Sequence, residues 1–125
     1  MNSITLKPEI TELYTLNEFV SNELPEENTY VNLIVEEVFV NIVDYSKADF
    51  IIVEIEYENG TIMLNFIDNG IEFNPILKEN PELPDTLDEA QIGGLGILLT
   101  KELSDELDYH YINGENHLKI IKKVE

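Results

Sequence analysis

Apolar residues early in the chain recur every three or four positions. Ile10, Leu13, Leu16, Phe19, Val20 and Leu24 fall on one helical face, with Pro8 suited to the first turn. Pro25-Glu26-Glu27-Asn28 breaks that pattern, and Val31, Ile34, Val35, Val38 and Ile42 restart it, predicting a second helix from about Thr29 to Tyr45. The period then drops to two. Ile51, Val53, Ile55 and Tyr57 alternate with Ile52, Glu54 and Glu56, predicting a strand over Phe50 to Tyr57. Asn59-Gly60 is a hairpin signal, with Thr61 to Ile67 as the returning strand and Ser3 to Lys7 as a short first strand. Residues 71–92 read as a long loop, holding three of the five prolines and no sustained apolar period. A loop of that length is usually functional or mobile. A third helix is predicted from about Leu95 to Leu107. Two last strands, Tyr109 to Ile112 and His117 to Lys122, flank a turn at Asn113-Gly114-Glu115-Asn116.

Composition narrows the classes. A chain of 125 residues with 43% hydrophobic content predicts one domain, 1–125, with an ordinary core. No apolar run approaches the roughly 18–20 residues of a membrane span. The amino terminus MNSITLKPEI lacks the basic and apolar regions of a signal peptide. With no cysteine there is no disulfide framework and no thiolate metal site, and a cytoplasmic protein is expected. Net charge is −19, from 26 acids against seven lysines and no arginine. Such a surface repels nucleic acid and anionic membranes and attracts basic protein surfaces. A polyphosphate ligand would need a divalent metal, backbone N–H groups and a few lysines.

Three short segments carry candidate chemistry. Glu37 and Asn41 lie four apart in the second helix and so share a face. The carboxylate can take a proton from a water or hydroxyl, and the amide oxygen suits magnesium. Taken alone, that spacing arises often by chance. Asp68-Asn69-Gly70 ends a strand. It is good turn chemistry, and taken alone a plain turn is the commoner reading; in the functional one Asp68 accepts from an adenine amino group while Gly70 lets the base approach the backbone. Gly93-Gly94-Leu95-Gly96 opens the third helix. Three glycines in four residues mark a sharp turn or a close approach, and N–H groups at a helix start bind anions. It is neither a Walker loop nor the dinucleotide fingerprint.

In their order and spacing these segments resemble the GHKL ATPase fold of DNA gyrase, heat-shock chaperones and histidine kinases. EEVFVNIVDYS, NFIDNGIEFNP and IGGLGILLTKELSDELDYHYINGENHLKI are similar to its small branch of anti-sigma factor serine kinases. The resemblance implies an α+β two-layer sandwich, a mixed, mainly antiparallel sheet covered on one face by about three helices. It implies Glu37 as catalytic base, Asn41 as magnesium ligand, Asp68 with Gly70 at the adenine, and Gly93, Gly94, Leu95 and Gly96 at the phosphates. Read from the sequence, Lys101, one turn past the glycines, is either a helper there or, the more ordinary reading, an exposed helix lysine. ATP and Mg2+ are the implied cofactors. The implied partners are an antagonist (anti-anti-sigma-like) protein and a sigma-like factor, with a homodimer and no direct nucleic acid or membrane contact. The chain departs from the pattern at Tyr45, where many relatives carry His nearby, and at Glu72, which replaces a glycine.

Three readings follow. The first is an ATP-binding switch that phosphorylates a serine of its antagonist. The second keeps the fold as a non-catalytic partner-binding module. The third is an acidic decoy for a basic protein, which would need none of the three segments.

Overall fold

The computed structural model describes residues 1–74 and 100–124. In chain order they form β1 (Asn2–Leu6), a 3-10 turn (Ile10–Glu12), α1 (Leu13–Glu23), α2 (Thr29–Tyr45), β2 (Ile51–Glu58), β3 (Thr61–Asp68), β4 (Glu106–Ile112) and β5 (Glu115–Lys123). Residues 100–103 are also helical. The strands make one five-stranded sheet in the order β1-β2-β3-β5-β4. Every pairing among the described residues is antiparallel. The helices cover one face, giving the α+β two-layer sandwich.

The two periods of the sequence explain how the layers meet. α2 buries Val31, Ile34, Val35, Val38 and Phe39, a stripe at three- and four-residue spacing. β2 buries Ile51, Val53 and Ile55, and β3 buries Ile62, Leu64 and Phe66. Register carries these rows across the sheet: Val53 stands beside Phe66 and Phe66 beside Leu118, while Ile55 stands beside Leu64 and Leu64 beside Ile120. Leu16 and Val20 of α1 join the same cluster.

Local signals set the ends. Asn28 caps α2, its Oδ1 accepting from Val31 N–H at 3.0 Å. Both hairpins use the residues that a two-residue type I′ turn demands, with φ of 51° and 77° at Asn59-Gly60 and 52° and 78° at Asn113-Gly114.

Three expected boundaries move. α1 starts at Leu13, because the segment after Pro8 first forms the 3-10 turn. The third helix does not reach Leu107. Ser104 N–H closes on Thr100 C=O, and Asp105 N–H then bonds Ile121 C=O, so the chain enters the sheet and β4 begins at Glu106 rather than Tyr109. The second hairpin turns on two residues only, which puts Glu115 and Asn116 in β5. The start of the third helix, and the loop beyond residue 74, lie outside the described residues. Among those described, no helix is long and apolar enough to cross a membrane.

Candidate functional site

The end of β3 meets the last turn and a half of α2. Asp68, the final residue of β3, is 3% exposed, and Asn41 of α2 is 7% exposed. Register places Asn116 of β5 directly beside Asp68, also buried. These three polar residues line a cavity of about 30 Å³ with Val38, Ile42, Ser46, Phe66, Phe73, Tyr109 and Leu118. That space holds a water or two.

Asp68 is held from two directions. Its Oδ1 accepts from Gly70 N–H at 2.9 Å and from Asn116 Nδ2 at 3.1 Å. Burial raises its pKa above the ordinary carboxylate value. The two hydrogen bonds, the nearby Ser46 hydroxyl and the charge of His117 pull the other way without cancelling it. Gly70 has a packing reason to be glycine. An added Cβ would sit 2.2 Å from the Ser46 carbonyl oxygen, and the next residue, Ile71, donates its N–H to that same oxygen at 2.8 Å. The close approach is thus to the C-terminus of α2, a role the sequence reading did not give this residue. Asn69 completes the junction: its Oδ1 accepts from Asp49 N–H at 2.8 Å and Phe50 N–H at 3.3 Å. Strand end, helix end and the chain entering β2 are fastened together.

Asn116 is the residue the sequence reading missed. Its Nδ2 donates to Asp68 Oδ1 and, at 2.8 Å, to Ile71 C=O. Its Oδ1 accepts from Phe73 N–H at 3.0 Å and from the Tyr109 hydroxyl. Two donors and two lone pairs are all an amide has, so Asn116 is fully used. Burial and the charges of Glu72, Asp68 and Tyr111 raise the Tyr109 pKa, while the Phe73 backbone N–H opposes them. Tyr109 therefore stays a hydroxyl donor at neutral pH. Phe73 also stacks on Tyr45, ring centroids 6.5 Å apart and 23° between planes.

Of the other expected site residues, Asn41 lies on the cavity wall and Glu37 does not. Glu37 is half-buried one turn earlier on α2. Asn41 Oδ1 is buried without a hydrogen-bond partner. A buried oxygen left without a donor costs about 1–3 kcal/mol, and a hard amide oxygen is a ligand magnesium accepts. Among the described residues no group of three His, Cys, Asp or Glu gathers to hold a metal. Asn41 Oδ1 is the described oxygen that would be offered to Mg2+, which commonly takes its other ligands from phosphates and water. Lys101 is half-buried in the helical residues 100–103 and has an interaction partner. Gly93, Gly94, Leu95 and Gly96 lie outside the described residues.

Comparison with known proteins agrees with this architecture. The profile of the histidine kinase-like ATPase domain matches residues 12–122. A serine/threonine-protein kinase, BtrW of Bordetella bronchiseptica, is 36% identical over 59 residues, which span 47% of this chain and 42% of that protein. The match therefore covers less than half of that relative's length. Among solved structures, the Acinetobacter baumannii histidine kinase AdeS superposes with a TM-score of 0.53 at 12% identity, covering 100% of this chain and 68% of that one. The histidine kinase domain of the Erythrobacter litoralis EL346 blue-light activated histidine kinase gives 0.50 at 19% identity, covering 76% and 43%. At these identities the superpositions speak for the fold alone. The profile match extends from the turn before α1 into β5, and on that match the chain belongs to the histidine kinase-like ATPase domain family.

Proposed function

We propose that this domain binds Mg-ATP with its base in the cavity between α2 and β3 and acts as a regulatory protein serine kinase of the anti-sigma factor type. The observation that carries this reading is the convergence of Asn41 and Asp68. A partnerless amide oxygen and a buried carboxylate face one cavity from two different elements. Asp68 would accept from the adenine amino group through Oδ2, since both of the protein hydrogen bonds described above fall on Oδ1. Asn41 Oδ1 would hold Mg2+, which neutralises phosphate charge that a −19 protein otherwise repels. From its sequence, the Gly93-Gly94-Leu95-Gly96 turn is assigned to the phosphates, with Lys101 as a further cation.

Glu37 is assigned as the base for phosphoryl transfer. It would take the proton of a partner's serine hydroxyl as that oxygen bonds to the γ-phosphorus and the bond to ADP breaks. The partner would be an antagonist protein whose phosphorylation shifts exchange with a sigma-like factor, and the kinase would act as a homodimer. The match to a serine/threonine-protein kinase supports the acceptor class.

The test is thermal unfolding with and without ATP and magnesium. At 100 times its dissociation constant a ligand adds about 2.7 kcal/mol. Asp68→Asn should remove that gain, and Glu37→Ala should keep it while lowering phosphate transfer to a co-purified partner roughly 100-fold. No stabilisation of the parent at millimolar Mg-ATP would defeat the reading.

A further inference from the structure

The cavity is walled by the chain that runs on from the Asp68 turn. Phe73 lies on its wall and is fixed twice: its N–H donates to Asn116 Oδ1 at 3.0 Å, and its ring stacks on Tyr45. Ile71 is fixed as well, its N–H on Ser46 C=O and its C=O on Asn116 Nδ2. What remains inside is about 30 Å³, room for water and not for a purine. The same Asn116 amide that pins this segment also sits on Asp68 Oδ1. The arrangement presents an amide N–H to the carboxylate and sets an aromatic residue on the cavity wall, groups of the kind a nucleobase would bring.

We propose that Phe73 is an intramolecular occupant of the base site, seated by Asn116, and that it sets nucleotide affinity by competing with the base. This rests on the nucleotide reading above. A base enters only when the Phe73 ring leaves, so the apparent dissociation constant is the intrinsic one divided by the fraction of molecules in which the site is open. Phe73→Ala removes the ring while keeping the backbone N–H on Asn116, and it leaves Asp68 and Asn41 untouched.

Three measurements on the full chain decide the matter. In the parent without nucleotide, amide hydrogen exchange followed by NMR should show the Phe73 and Ile71 N–H groups protected, and Asn116→Ala should release the Phe73 amide. Binding of a fluorescent adenine nucleotide with magnesium should tighten roughly tenfold in Phe73→Ala, as expected where the closed form outnumbers the open form by about ten to one. In stopped flow the parent's observed rate should level off with nucleotide concentration, limited by opening, while that of Phe73→Ala should keep rising. Weaker binding by Phe73→Ala would mean that the ring stacks on the base and would overturn the proposal. So would an unprotected Phe73 amide in the parent, whatever the nucleotide does. If neither protein binds nucleotide while the amide is protected, the nucleotide reading fails, and this inference fails with it.

Discussion

Replacing Gly70 with alanine separates two reasons for a glycine beside Asp68. If Gly70 were glycine only so that a base could come near, Gly70→Ala would lower nucleotide affinity and leave the ligand-free protein as stable as before. The structure gives a different expectation. The new Cβ would lie 2.2 Å from Ser46 O and 2.7 Å from Ser46 C and Cβ. Reaching an ordinary contact of about 3.5 Å demands a displacement of roughly 1 Å. Ser46 caps α2 and is itself buried, so its backbone has little room to yield. Strain of this kind costs about 1–3 kcal/mol. The movement also stretches the hydrogen bonds Ile71 N–H to Ser46 C=O and Gly70 N–H to Asp68 Oδ1, each worth about 0.5–1.5 kcal/mol. The total is roughly 2–6 kcal/mol, which at about 4 °C per kcal/mol lowers Tm by roughly 8–24 °C.

Gly114→Ala is the matched control. Nothing lies within 4 Å of its added Cβ, but φ is +78°, so only the left-handed backbone penalty of about 1 kcal/mol applies. Urea unfolding followed by far-UV circular dichroism suits a chain without tryptophan. Gly70→Ala within 0.5 kcal/mol of the parent, or no worse than Gly114→Ala, would refute the packing argument.

Other outcomes follow from the same geometry. Asp68 has a raised pKa in the folded state, so its neutral form favours folding. That contribution is fully present below the ordinary carboxylate value and is lost as pH rises through the raised value. Stability measured against pH should therefore fall across that window in the parent and stay flatter in Asp68→Asn; superimposable profiles would contradict the assignment. Asn41→Leu should stabilise the ligand-free protein by about 1 kcal/mol, because it removes a partnerless buried oxygen, and should abolish any magnesium dependence of nucleotide binding in calorimetry. Asn28→Ala should cost about 1 kcal/mol in urea unfolding through loss of the α2 cap.

Much of the fold was legible because its periodicities are local. The α2 stripe and the alternation of β2 and β3 are contained in single segments, and Asn-Gly fixes both hairpins from two residues. The errors have causes distant in sequence. Leu103 and Leu107 continue a helical spacing, but the Asp105 N–H bond to Ile121 C=O and the Lys123 N–H bond to Asp105 Oδ2 draw that segment into the sheet. Those partners lie some 16–18 residues away and leave no trace in the periodicity. The same holds at the site. Asn41 and Asp68 stood out by their placement within an element, whereas Asn116 looked like one more turn residue. The shared register of β3 and β5, a pairing across about 48 positions, is what brings it beside Asp68. Recognising the two-residue turn at Asn113-Gly114 would have placed Asn116 in a strand, but not next to an acid.

Asn116 has two opposed effects on that acid. A carboxyl accepts most strongly from an adenine amino group when ionised, and burial works against ionisation of Asp68. The Asn116 Nδ2 hydrogen bond favours the charged form, so it helps keep the acceptor competent. The same amide holds the Phe73 backbone N–H, so it also opposes entry of a base. Removing it therefore does not mimic removing the Phe73 ring. Asn116→Ala should open the site yet push the Asp68 pKa further up, so any gain in nucleotide affinity should be confined to higher pH. In Phe73→Ala the Asn116 bond to Asp68 survives, and the gain should reach to lower pH. Binding titrations of both variants at several pH values test this directly. Parallel pH profiles would show that Asn116 acts only by holding the segment in place and has no hold on the charge of Asp68.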